Sequence, residues 1–97
     1  MTNLPDGASL PVKDSLPGDD VLSDDIAELE AQMALFEQAQ KDCEIALRRL
    51  VEAEDTAKGI TFAKEIHEAR QLKLQLGVSR ELRRVRINRI RANAAFF

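Results

Sequence analysis

Six arginines (Arg80, Arg83, Arg84, Arg86, Arg89 and Arg91) fall within twelve residues near the C-terminal end of the chain, opposed there only by Glu81. A guanidinium is a planar fork of donors that matches phosphate and carboxylate equally well, so such a cluster needs anions. On a helix, Arg80, Arg84 and Arg91 line one ridge with Arg83 beside it, while Arg86 and Arg89 lie on the opposite side. The sequence offers two outlets for this charge. Residues 1–30 hold eight acids (Asp6, Asp14, Asp19, Asp20, Asp24, Asp25, Glu28 and Glu30) against Lys13 alone. If the chain folds back at Gly59, residue i meets about 118 − i, setting Glu28 opposite Ile90 and Glu30 opposite Asn88. The acidic stretch then lies alongside the arginines, and pairing within or between chains absorbs them. Nucleic acid or another acidic partner is the alternative, with Arg80, Arg83, Arg84 and Arg91 as its contacts. The alternative is the weaker of the two. No aromatic side chain interleaves the arginines to stack on bases, and the chain as a whole carries −3.

Other residues with chemical potential stand alone. His67 is the single histidine, and the positions one turn away are Ala63 and Gln71, so a helical metal pair is missing. Cys43 is the single cysteine and cannot form an intramolecular disulfide. Asp42 and Glu44 beside it disfavour a thiolate, so it reads as a core residue rather than a nucleophile. There is no glycine loop to cradle phosphate, no CxxC and no GxSxG. The expectation is a protein without catalytic, cofactor or metal residues.

What the sequence does specify is a helix seam. Ile26, Leu29, Met33, Phe36, Gln40, Cys43, Leu47, Leu50, Glu54 and Ala57 alternate at spacings of three and four, forming five heptad pairs of a and d positions. The polar intruders, Gln40 and Glu54, read either as register devices or as places where the seam opens to water. Ser23 with Asp24 and Asp25 supplies a helix start, and Asp25 followed by Glu28 supplies an overlapping one. A first helix is expected over 23–58, a turn around Gly59, a helix over 60–76, a break or stutter at Gly77, and a last helix over 79–95. Before it, residues 1–22 hold all three prolines and two of the four glycines, which predicts an irregular, flexible arm. The fold class expected is all-α: an antiparallel helical hairpin in coiled-coil style with that arm, completed into a bundle by a second copy or a partner.

The last helix carries apolar residues on more than one face. Val78, Leu82, Val85, Ala92 and Phe96 form one stripe, and Ile87, Ile90, Ala94 and Phe97 form another. A hairpin buries one face of each helix, so Leu82, Val85, Ile87, Ile90, Phe96 and Phe97 are expected to carry a second interface. No stretch approaches the ~18 apolar residues of a membrane span. The N-terminal composition is not that of a signal peptide, so the chain reads as cytoplasmic. Together these features describe a non-enzymatic interaction protein acting through helix packing, whose partners are itself or a larger protein.

Overall fold

The computed structural model describes residues 4–94. Two long antiparallel helices, α1 (Ile26–Ala53) and α2 (Ala63–Ala94), pack lengthwise into a hairpin measuring 65 × 19 × 18 Å. The expected all-α hairpin is the observed one.

Each end of α1 is set by local chemistry. Asp25 caps it, its carboxylate accepting the Ala27 N–H at 2.9 Å. Ser23 stands one step back: its hydroxyl accepts the Asp25 N–H at 3.0 Å and donates to Glu28 at 2.8 Å. The helix therefore opens at Ile26 rather than Ser23. It stops at Ala53, five residues short of the expected end, because Asp55 and Ile60 exchange both backbone hydrogen bonds, at 2.9 and 2.8 Å. A short 3-10 turn over Thr56–Lys58 fills the loop, and Gly59, at φ 71°, adopts the left-handed conformation that closes it. Glu54 leaves the seam here. Its carboxylate accepts the Phe62 N–H at 3.3 Å, just ahead of α2.

Helix α2 runs without interruption through Gly77, where a break or stutter was expected. The reason lies across the hairpin. A Cβ on Gly77 would stand 2.9 Å from the Gln40 amide nitrogen, so the glycine makes room for Gln40 to lie over α2. That amide reaches the Lys73 carbonyl at 3.5 Å. A mid-helix glycine costs ~1 kcal/mol, too little to end a helix held along its length by packing.

The segment 4–25 is irregular, apart from a 3-10 turn at Lys13–Ser15, but it does not hang free. It runs antiparallel to α1 in the furrow between the helices. Ala8 packs with Leu50, Phe62 and Ile66 near the turn; Leu10 and Leu16 pack on Phe36, Ala39, Cys43 and Leu76 at mid-length. Between Leu50 and Gln32 the helix spans ~27 Å, and the eleven steps from Ala8 to Asp19 reach ~36 Å when extended, leaving slack that the 3-10 turn takes up. The d positions Leu29, Phe36, Cys43 and Leu50 are all buried, and so are Ala39 and Ala46 on the arm's side. Ile26, Met33, Gln40 and Leu47, the a positions, are only half-buried. The core is thus three-layered on one side and two-layered on the other.

Candidate interaction site

Arg83 is the best-connected polar residue of the fold. Its side chain is 0% exposed, and each of its five N–H groups has an acceptor. Nε donates to Gln32 at 2.8 Å. One terminal nitrogen donates to Asp19 at 2.7 Å and to the Ser79 carbonyl at 2.8 Å. The other donates to the Gly18 carbonyl at 2.9 Å and the Pro17 carbonyl at 3.5 Å. The guanidinium also lies 4.5 Å over the Phe36 ring. Ser79 closes the ring of contacts, its hydroxyl donating to Asp19 at 2.7 Å. One arginine therefore binds α1, α2 and the arm together. Burial works against ionisation of Asp19, but the hydrogen bonds from Arg83 and Ser79, with the charge of Arg83 and a smaller pull from Lys13, outweigh it and hold the carboxyl below its ordinary range.

This corrects the place expected for Arg83, since a fully buried, fully bonded guanidinium cannot reach an external phosphate. The rest of the cluster is largely engaged too. Arg86 pairs with Asp24, Arg84 with Glu81, and Arg91 with Glu30 at 3.1 Å. Lys73 meets Glu44 at 3.0 Å, which continues the antiparallel pairing down the hairpin. Glu81 is held below the usual carboxylate range chiefly by its hydrogen bonds from Arg84. Among the described residues, Arg80 and Arg89 form no ion pair within 4 Å. The acidic N-terminal stretch thus takes up three of the six arginines (Arg83, Arg86 and Arg91).

The second interface needs redrawing as well. Ile87 is buried and Ile90 half-buried, because they continue the ridge of Leu76 and Arg83 that faces α1. Leu82 and Val85 point outward, as does Val78, so the outward stripe of α2 is the one that begins with Leu74. Phe96 and Phe97 lie outside the described residues. Cys43 is wholly buried at the centre of the seam, and burial first, then the charge of Asp42, pushes its thiol pKa up. His67 is exposed on α2.

Opposite the arm the hairpin is uncovered. Gln40 and Leu47 of α1, with Arg70, Lys73, Leu74, Gly77, Val78 and Glu81 of α2, line a groove of about 610 Å³. Leu74 is 72% exposed and Val78 59% exposed on its rim. Sequence periodicity alone could not mark this groove, because Gly77 looked like a helix breaker rather than its floor. Among the described residues no helix is long and apolar enough to cross a membrane, and no three side chains of metal-ligating type cluster. No known protein family, curated protein or solved structure matches this chain.

Proposed function

We propose that this chain is a non-enzymatic helical interaction module, an assembly or adaptor element, which takes a partner along the side of the hairpin opposite its arm. The observation that supports this reading most strongly is the asymmetry of the two sides. One is sealed by the arm and pinned by Arg83; the other presents Leu47, Leu74, Gly77 and Val78 as a groove with exposed leucine and valine at its edge. Apolar residues at spacings of three and four beside a glycine suit a third helix laid lengthwise. Partner burial of Leu74 and Val78 would contribute on the order of 1.5–3 kcal/mol each. The nucleic-acid alternative loses its footing once Arg83 is in the core and Arg84, Arg86 and Arg91 hold carboxylates. A reducing compartment such as the cytoplasm suits the lone thiol of Cys43.

The test compares assemblies formed by the full chain with those formed by a Leu74→Asp/Val78→Asp variant and by a Leu35→Asp control. Leu35 is an exposed leucine of α1 outside the groove lining. Loss of assembly in the double variant alone, at unchanged helix content, is the expected result. Equal assembly in all three would refute the reading.

A further inference from the structure

The groove has a polarity that identifies an occupant. Arg70 stands at one end and Glu81 at the other, eleven residues or ~16 Å apart along α2, with Leu74 and Gly77 between them. Opposite charges placed symmetrically about a central apolar pair are self-complementary in an antiparallel sense. A two-fold axis through the midpoint between Leu74 and Gly77 sets Arg70 opposite Glu81 of a second copy, and Glu81 opposite its Arg70. The same operation lays Leu74 across Gly77 of the second copy, alongside the Gln40 side chain that covers that glycine, and sets Val78 against the stem of Lys73. Lys73 keeps its ammonium on Glu44 of its own chain while its methylenes supply apolar contact.

We infer that the groove is the interface of an antiparallel, two-fold symmetric homodimer, with each copy contributing the Leu74 that fills the groove of the other. This deepens the proposed function and rests on it, since it names the partner as a second copy of the chain. The charges work as a selector of alignment as well as an attraction. Parallel docking would place Arg70 beside Arg70 and Glu81 beside Glu81, whereas the antiparallel arrangement matches both ends. Glu81 can serve Arg84 of its own helix and Arg70 of the other copy together, because an ionised carboxylate accepts several hydrogen bonds.

Charge exchange tests this directly. The full chain is weighed by light scattering with refractive-index detection, because it has no Trp or Tyr to absorb near 280 nm. At high micromolar concentration the native chain should weigh twice its 10.8 kDa. Arg70→Glu alone places four acids at the interface and Glu81→Arg alone places four bases. Each should raise the dimer dissociation constant about tenfold or more. An equimolar mixture of the two single variants restores both opposite pairs in a heterodimer, and its mass should return to that of a dimer. Leu74→Asp should give a monomer of unchanged helicity, its side chain being exposed in the single chain. A native monomer, a dimer indifferent to either charge variant, or a mixture that fails to recover would each overturn the inference. The proposed function fails separately. If the native chain is monomeric but Leu74→Asp/Val78→Asp abolishes its binding to another polypeptide, the dimer is refuted and the interaction role stands. If that double variant changes no assembly of any kind, both are refuted.

Discussion

Replacing Asp19 by asparagine should loosen the arm while sparing the helices. The Arg83 side chain is 0% exposed, so the loss of its countercharge leaves a buried cation among neutral acceptors. Removing one partner of a buried ion pair costs about 3–5 kcal/mol. Asp19 itself is 37% exposed, and water reaching the site reduces this to about 1.5–3 kcal/mol. For a domain of this size the melting temperature should fall by roughly 4–8 °C per kcal/mol. Arg83→Met should cost about 2–4 kcal/mol, through lost charge-assisted hydrogen bonds and lost stacking on Phe36. The assay is guanidinium denaturation followed by far-ultraviolet circular dichroism, with amide hydrogen exchange across residues 8–20. Both variants should keep their helical signal and lose protection in the arm. The double variant should be less destabilised than the two singles added, by about 1–2 kcal/mol. Single variants within ~0.5 kcal/mol of the native chain, with the arm's protection intact, would refute the idea that this arginine fastens the arm.

Acid should act on the same contact. The folded Asp19 lies below the ordinary carboxylate range, so as pH falls the unfolded chain takes up the proton first. Its contribution to stability is therefore full above about pH 4 and is lost as pH falls from there through the folded value; a stability–pH profile of Asp19→Asn as steep as the native one would contradict this. Gly77→Ala should be mildly stabilising, by ~0.5 kcal/mol. The helix-propensity gain of ~1 kcal/mol outweighs displacement of a flexible Gln40 amide from a long hydrogen bond, and a drop in melting temperature would show that Gln40 is held more firmly. Phe36→Ala should cost about 3–5 kcal/mol, because it opens the central cluster and removes the ring beneath Arg83; denaturation midpoints decide it. Cys43 should resist thiol reagents in the folded chain and react promptly once denatured; fast reaction in native buffer would mean the seam opens there.

The hairpin was legible because its signals are redundant. Leu29, Phe36, Cys43 and Leu50 recur every seven residues, and Gly59 is flanked by helices of similar length with opposite charge bias. The docking of the arm was hidden, since prolines and glycines describe a backbone without regular hydrogen bonding whether it is free or packed. A trace of it was present in Ala39, Ala46 and Ala53, seven residues apart beside the seam, where small side chains leave room for an extended segment. Arg83 misled for a related reason. Its neighbours in sequence, Arg80, Arg84 and Arg86, are half-buried or exposed, but on the wheel it belongs to the ridge of Leu76, Ile87 and Ile90. Charge composition is a property of a segment; burial is a property of a face. Gly77 shows the same limit, because the side chain that lies over it is Gln40, thirty-seven residues away in sequence.

The central claim is that the side opposite the arm receives a polypeptide, and site-specific photo-cross-linking tests it at residue resolution. A photoreactive side chain is placed at Val78, on the groove rim, and in a separate chain at Ile45, an exposed residue of α1 outside the groove lining. The predicted result is a discrete polypeptide adduct from position 78, mapped on a second copy to its α2 near Lys73, and none from position 45. Absence of any polypeptide adduct at 78, or the same adducts from both positions, would contradict the assignment of that side as the binding face.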